Sequence, residues 1–251
     1  MIEVRNLCKS FADKQVLFDI STAFENGKTN LIIGQSGSGK TVFMSCLVGL
    51  HEPTAGEILY DGRDFVAMSK RERTLLRREM GMLFQGSALF DSLTVLQNVM
   101  FPLDMFSTDS YKERMRRAQY CLDRVKLGDA GNKYPEELSG GMQKRAAIAR
   151  AIAMGPKYLF CDEPNSGLDP KTSLVIDHLI HDITVENQMT TIVNTHDMNS
   201  VMGIGENILF IYKGHKEWQG KNTDISASDN QRLNDFIFAS DFSKQLLRKA
   251  E

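Results

Sequence analysis

One eight-residue segment constrains the fold more than any other part of this 251-residue chain. This segment, the phosphate loop, runs from Gly34 to Thr41, reads GQSGSGKT and matches the pattern GxxxxGK[ST]. Residues 30–33 before it form a short apolar run typical of a strand buried on both faces, and residues 41–50 after it predict a helix. A glycine-rich loop between a buried strand and a helix predicts a site for phosphate groups. The alternative is a glycine-rich turn that binds nothing.

The phosphate loop offers three kinds of contact. Glycines let backbone N–H groups point inward, and the start of the following helix adds partial positive charge. The Lys40 side chain is expected to reach the β- and γ-phosphates of a nucleotide, and the Thr41 hydroxyl to bind Mg²⁺. The residues predicted to bind ATP in this loop are Gly34, Gln35, Ser36, Gly37, Ser38, Gly39, Lys40 and Thr41.

Strands and helices are predicted to alternate after the loop, which favours an α/β fold. Apolar runs at 157–161 and 190–194 predict two more buried strands, and 171–187 predicts an amphipathic helix between them. The first thirty residues alternate in polarity and predict an antiparallel sheet at the edge of the core. Residues 86–152 predict an inserted helical lobe.

We expect that lobe to be broken at Pro102 and Pro135, because proline cannot donate a helical hydrogen bond. The whole chain is therefore predicted to form a single domain. It has a β subdomain plus core (1–85 and 153–220), the helical lobe (86–152) and a C-terminal extension (221–251).

Composition excludes several classes of protein. The chain carries 30 basic and 32 acidic residues, a net charge of −2, so it has no global basic field for nucleic acid, and none is expected as a partner. No apolar run approaches the roughly 18 residues of a membrane span, and the first residues lack the apolar core of a signal peptide. The cysteines are far apart and are predicted to be small buried hydrophobes rather than zinc ligands or disulfides; they are Cys8, Cys46, Cys121 and Cys161.

Polar residues at two predicted strand ends complete the candidate site. Asp162 and Glu163 end the strand at 157–161, and His196 follows the strand at 190–194. An acid at such a position can enter the shell of Mg²⁺, and a second can polarise a water that attacks phosphorus. Paired acids alone are weak support, since a helix cap or a solvated pair gives the same pattern.

The segment 138–143, LSGGMQ, here termed the signature segment, carries the most specific resemblance. With the phosphate loop and the paired acids it resembles the family of ABC ATPases, over nearly the whole chain. The resemblance implies a P-loop NTPase with a RecA-like core, an N-terminal antiparallel β subdomain and an inserted helical subdomain. It also implies a head-to-tail homodimer in which Ser139, Gly140 and Gly141 of one copy bind the ATP held by the other.

The resemblance assigns roles to individual residues. Thr41, Gln85 and Asp162 would bind Mg²⁺, while Glu163 would activate the attacking water. His196 would contact the γ-phosphate, and Gln85 would also touch the water and begin the helical lobe.

Two more positions match the family at the edge of the site. Asp169 would cross the dimer interface, and Phe11 would stack on adenine, with a core phenylalanine as the alternative for Phe11.

Residues 81–90 and 93–99, with Met142 in the signature segment, resemble the ATPase subunit of Mla-type phospholipid transporters. That resemblance implies a separate membrane permease, a lipid-binding subunit and a place on the cytoplasmic face of the inner membrane. Amino-acid importers and the cell-division ABC complex remain alternatives. Leu233, Phe236 and Ile237 have helical spacing and are expected either to dock on a neighbouring subunit or to pack back on their own domain.

Two unrelated functions are weaker alternatives. A soluble ABC protein acting on DNA or ribosomes usually carries a long coiled coil or two ATPase domains, and this chain has neither sustained heptads nor a second phosphate loop. A kinase or GTPase outside the ABC family leaves the signature segment unexplained.

Overall fold

The computed structural model describes residues 1–237 and contains two β-sheets flanked by helices. A four-stranded antiparallel sheet has the order β2-β1-β4-β5, and a six-stranded sheet has the order β10-β9-β3-β8-β7-β6. The strands are β1 (Ile2–Phe11), β2 (Lys14–Phe24), β3 (Thr29–Ile33), β4 (Ala55–Tyr60), β5 (Arg63–Asp64), β6 (Met80–Leu83), β7 (Tyr158–Asp162), β8 (Thr190–Thr195), β9 (Asn207–Tyr212) and β10 (His215–Gly220).

The helices cover both faces of the larger sheet and make up the inserted segment. They are α1 (Lys40–Leu47), α2 (Lys70–Arg77), α3 (Val95–Phe106), α4 (Tyr111–Arg124), α5 (Gly140–Ile152), α6 (Pro170–Glu186), α7 (Met198–Ile204) and α8 (Gln231–Ile237), with 3-10 turns at Gly128–Ala130, Pro135–Glu137 and Asn222–Asp224.

Five strands of the larger sheet run parallel, and β10 pairs antiparallel with β9. Every residue of β3 and of β8 is buried, as predicted for strands covered on both faces. Because parallel strands end at the same edge of a sheet, the loops after β3, β6, β7 and β8 converge there. That edge therefore receives the predicted site residues.

The side chains of the central strands alternate between two hydrophobic clusters. Leu31 and Ile33 pack into the cluster formed with helices α3–α8, whereas Ile32 joins the cluster formed with α1 and the antiparallel sheet. The antiparallel pairing of β1 with β2 and β4 confirms the prediction for the first thirty residues. Three cysteines are buried as expected, and Cys8 is half-buried.

The prediction of a helix break at Pro102 is wrong. Pro102 lies inside α3, which runs from Val95 to Phe106 and starts with a capping box at Thr94. A mid-helix proline removes one hydrogen bond and costs about 3 kcal/mol. The buried side chains of Val99, Met100 and Leu103 pack into the helical cluster around it, and this packing maintains the helix.

The end of the described chain packs back on its own domain. Leu233 and Ile237 of α8 are buried, and the Phe236 ring stacks on Phe210 of β9 with ring centres 5.3 Å apart. Residues 238–251 of the predicted C-terminal extension lie outside the described residues. Within residues 1–237, no helix combines the length and apolarity that crossing a bilayer requires.

Candidate active site

The phosphate loop is fixed in place by close backbone contacts. Gly34 has φ 151° and Gly39 has φ 107°, both in the region that favours glycine. A Cβ at Gly34 would lie 2.3 Å from the Ile211 carbonyl oxygen, and one at Gly39 would lie 2.9 Å from the Leu17 side chain. The loop can pass between β9 and β2 only because these positions carry no side chain.

Lys40 folds its side chain back into the phosphate loop. The residue is 7% exposed, and its Nζ donates hydrogen bonds to the carbonyl oxygens of Gly34 (2.9 Å) and Gln35 (3.2 Å). Burial lowers the pKa of the ammonium group, while the negative charges of Glu163 and Asp162 oppose that shift. The loop thus holds a positive charge close to both acids.

The polar groups of the loop fit a bound phosphate. Ser38 is 6% exposed, and its Oγ has no hydrogen-bond partner among the described residues. This Oγ lies only 2.8 Å from where a Gly34 Cβ would be, which places the hydroxyl inside the loop. A buried hydroxyl without a partner is unfavourable, and a phosphate oxygen would accept its hydrogen bond. Thr41 lies at the start of α1 and is exposed.

The carboxyl ends of β7 and β8 bring three predicted residues together. Asn194 of β8 donates from Nδ2 to Asp162 Oδ1 at 2.8 Å, which orients the carboxylate at the end of β7. The next residue, Glu163, has φ 48°, and its N–H donates to the Asn194 carbonyl oxygen at 2.9 Å. Its Oε2 lies 2.8 Å from Nδ1 of His196. A left-handed backbone outside glycine is strained and is often found at functional sites.

The side chains of Glu163 and His196 differ in their exposure to solvent. The Glu163 side chain is 15% exposed, whereas that of His196 is 65% exposed. The carboxylate therefore lies at the floor of the site, and the imidazole lies at its mouth. A carboxylate so placed can accept a proton, and the imidazole can donate to it or to a phosphate oxygen.

Gln85, two residues beyond β6, faces the same edge. Its Nε2 donates to the Ser166 hydroxyl at 3.2 Å, and its backbone carbonyl accepts a hydrogen bond from Lys144. Lys144 lies on α5 and is only 4% exposed, and burial lowers the pKa of its ammonium group. The donor set of Thr41, Gln85 and Asp162 consists of neutral and acidic oxygens, which are the ligands Mg²⁺ prefers.

The signature segment lies at the start of α5. Ser139 is the N-cap residue, and its Oγ accepts a hydrogen bond from the N–H of Met142 at 3.4 Å. Ser139 and Gly140 are exposed, while Gly141 is buried against Thr172 of α6, where a Cβ would lie 2.6 Å from Thr172 Cγ2. The exposed start of the helix is free to receive an anion from outside this chain.

Asp169 and Phe11, the two residues predicted at the edge of the site, lie at the ends of secondary-structure elements. Asp169 is the N-cap of α6 and accepts hydrogen bonds from the N–H groups of Lys171 (3.1 Å) and Thr172 (3.0 Å). Phe11 ends β1 and is 39% exposed, which rules out the core position considered from the sequence. The His51 ring meets Phe11 edge-on at 5.0 Å. Base stacking by Phe11 and interface contact by Asp169 stay predictions.

Sequence reasoning missed three residues of this arrangement. Asn194 orients Asp162, Ser166 binds the Gln85 side chain, and Lys144 binds the Gln85 backbone. Asn194 could have been found, because a polar residue inside a fully buried strand needs a polar partner. The sequence carries no comparable signal for Lys144.

Comparison with known proteins gives a consistent result. The protein-family model described as "ABC transporter" matches residues 17–166. The chain is 38% identical over 239 residues to the glutamine transport ATP-binding protein GlnQ of Escherichia coli, covering 94% of this chain and 98% of that protein. It is 35% identical over 236 residues to the probable ribonucleotide transport ATP-binding protein mkl of Mycobacterium leprae, and it spans about two thirds of that relative, with 94% and 68% covered.

Solved structures share the fold. The ATP-binding cassette MJ0796, as a dimer in a post-hydrolysis state bound to ADP and Pi, superimposes with a TM-score of 0.80 at 33% identity, over 88% of this chain and 99% of that one. The cassette cbiO1 of Clostridium perfringens gives a TM-score of 0.85 at 27% identity, over 98% of both chains. The sheets and helices described above are therefore those of an ATP-binding cassette with an α/β P-loop core.

Proposed function

This chain belongs to the ABC transporter family, and on that premise we propose that it is the ATP-hydrolysing motor subunit of an Mla-type phospholipid transporter. ATP binding and hydrolysis are properties of the family to which this chain belongs. The observation that carries the proposal for this site is the Glu163–His196 pair, whose side chains are 2.8 Å apart. Each residue directly follows the end of a parallel strand, Glu163 after β7 and His196 after β8. It supplies a base and a phosphate contact at the sheet edge where the phosphate loop begins.

Different residues bind the nucleotide and the metal ion. Lys40 and the loop N–H groups bind the β- and γ-phosphates, and Phe11 stacks on the base. Thr41, Gln85 and Asp162 would hold Mg²⁺, which would supply positive charge to offset the negative charge of the phosphates.

Glu163 accepts a proton from the attacking water while Gln85 orients that water. Asp162 is fixed by Asn194, so its carboxylate needs little reorganisation to reach the cation. His196 donates to the γ-phosphate from the mouth of the site.

We further propose that two copies act head to tail. Ser139 and Gly140 at the start of α5 are exposed, and they would bind the nucleotide of a second copy. Asp169 would cross the same interface. A dimeric state of the related MJ0796 cassette supports this arrangement.

An apolar groove beside Gln85 supports a membrane permease as partner. The groove has a volume of about 630 Å³ and lies between α2, β6, α3 and α5. Three arginines, Arg77, Arg78 and Arg150, line it together with aromatic rings. Four of those rings are exposed; they are Phe84, Phe90, Phe101 and Phe106. Exposed aromatic clusters with a charged rim mark protein contacts.

The groove fits a short amphipathic segment of the permease with an acidic residue for the arginines. The lobe formed by residues 86–152 would pass motion between that segment and Gln85. The subunit would then lie at the cytoplasmic face of the inner membrane.

The choice of cargo rests on sequence alone. Residues 81–90 and 93–99 with Met142 support an Mla-type lipid transporter with a lipid-binding subunit. The glutamine and methionine transport ATP-binding proteins among the relatives favour the second candidate, an amino-acid importer. A cell-division complex or a soluble ABC protein has no observation of its own in favour.

The test is purification of the tagged protein from native membranes, followed by mass spectrometry of proteins and lipids. An Mla-type complex brings a permease, a lipid-binding subunit and phospholipid, whereas an importer brings a permease without lipid. Phe101→Asp should lose the permease and keep ATP hydrolysis, because Phe101 lines the groove. The matched control is Met105→Asp on the same helix, since Met105 is exposed outside the groove. Recovery of no permease by the wild-type protein contradicts the motor-subunit assignment.

A further inference from the structure

Lys144 is a buried cation that is not among the residues proposed to bind phosphate. It is the fifth residue of α5 (Gly140–Ile152), 4% exposed, and donates its hydrogen bond to the backbone carbonyl of Gln85. Among residues 1–237 it forms no ion pair with an acidic side chain. Lys157, in contrast, pairs with Glu79 at the surface.

The contact between Lys144 and Gln85 lies beside the end of β7, where the two acids of the site are found. Leu83 at the end of β6 pairs with Cys161 of β7, so the chain that continues to Gln85 runs beside Asp162 and Glu163. Both acids are near enough for their negative charges to act on the Lys144 ammonium. The ammonium therefore joins α5 to the segment that follows β6.

Stability alone does not account for a lysine here. Removing a charge from water is unfavourable, and an apolar side chain of similar length is often as stable at such a site. The hydrogen bond has a more specific effect, because it fixes the peptide that carries the Gln85 side chain. That side chain is already directed by Ser166, so backbone and amide are each held by one contact.

We propose that Lys144 is a positioning residue for hydrolysis, which holds the backbone of Gln85 so that its amide meets Mg²⁺ and the attacking water. Through α5 the same residue connects Gln85 to Ser139, the residue that α5 offers to the nucleotide of a second copy. Opening or closing of the second copy's site would thus move the metal-binding amide of the first. This inference rests on the proposed function of Gln85 and Ser139.

The test compares Lys144→Met, which keeps the aliphatic stem and removes the donor, with Lys144→Arg, which keeps a charged donor. Lys112→Met is the matched control, since Lys112 is an exposed lysine in the same lobe. For each protein we would measure kcat and KM for ATP, the Mg²⁺ dependence of turnover and the thermal midpoint. Binding of a fluorescent ATP analogue with and without Mg²⁺ gives a readout independent of turnover.

We expect Lys144→Met to lower kcat roughly 10- to 100-fold, as loss of a contact that orients a metal ligand does. Binding of the analogue without Mg²⁺ should not change, and the gain in affinity on adding Mg²⁺ should shrink. Lys144→Arg should restore most of the turnover, and Lys112→Met should behave as wild type. If the methionine variant does not fold, Lys144→Gln replaces it and should show the same loss, because its shorter amide ends short of the Gln85 carbonyl.

Three results overturn the proposal. These are wild-type turnover by Lys144→Met, no recovery in Lys144→Arg, or an equal loss of analogue binding without Mg²⁺. Absence of ATP hydrolysis in the wild-type protein would defeat the proposed function instead, so the two failures are distinguishable.

Discussion

Replacing Glu163 by glutamine tests the central step of the mechanism. Glutamine has the same shape, so the backbone at φ 48° and the position beside His196 are expected to persist. The change removes the proton acceptor from a side chain that is only 15% exposed, where a water molecule cannot easily replace it. Losing a general base lowers the rate by roughly 10²- to 10⁴-fold. At 1.36 kcal/mol per factor of ten, the barrier rises by about 3–5.5 kcal/mol.

Binding should behave differently from turnover in this variant. Lys40 keeps its contacts with the carbonyl oxygens of Gly34 and Gln35, and Glu163 is not a phosphate ligand. The affinity for ATP should therefore stay close to that of the wild type. Since ATP is bound and not consumed, the closed pair of subunits should accumulate.

The assay is release of inorganic phosphate under saturating ATP, with size-exclusion chromatography in ATP and Mg²⁺ to follow the dimer. Glu206→Gln is the matched control, because Glu206 also faces a histidine, His181 at 3.9 Å, outside the site. It should hydrolyse ATP at the wild-type rate. Undiminished phosphate release by Glu163→Gln would remove Glu163 from the catalytic role.

Three further results are expected. Lys40→Ala should abolish binding of a fluorescent ATP analogue, and unchanged affinity would take Lys40 out of the phosphate site. Two hydrogen bonds from Arg63, each 3.0 Å long, lower the pKa of Glu79. The ionised side chain therefore stabilises the fold above its unfolded pKa near 4.3, and this contribution to the free energy of unfolding disappears as the pH falls through the lower folded pKa. Glu79→Gln should thus lose about 0.5–1 kcal/mol in urea unfolding at pH 7 and progressively less as the pH falls below the unfolded pKa, and a loss independent of pH contradicts this. Leu233→Ala should lose about 2–5 kcal/mol in the same assay at pH 7, because Leu233 is fully buried; no loss would mean that α8 does not pack on this core.

The phosphate loop and the buried strands could be predicted because each requires a particular residue pattern within a short stretch of sequence. A tight loop needs glycine where a Cβ would strike Ile211, and a strand covered on both faces needs a continuous apolar run. Topology then brought Asp162, Glu163 and His196 to one edge, because each follows a parallel strand. The predicted strand ends gave the positions of these residues, and the family resemblance gave their roles.

Long-range packing explains what could not be predicted. Pro102 was expected to end a helix on local grounds, yet buried neighbours maintain α3 across it. The Lys144–Gln85 contact joins residues 59 positions apart, and nothing in either local sequence indicates it. The placement of Phe236 on Phe210 likewise depends on how the chain returns to the sheet, and the sequence left two possibilities open.

The groove and the Gln85 amide that we propose as a ligand of Mg²⁺ belong to adjacent stretches of the chain. Phe84 lines the groove, and the next residue, Gln85, binds Ser166 at the catalytic edge. A small aromatic molecule wedged among the four rings would therefore displace Gln85 without approaching the nucleotide. Such a compound would be a non-competitive inhibitor whose potency does not fall as the ATP concentration rises, and it would compete with the permease instead.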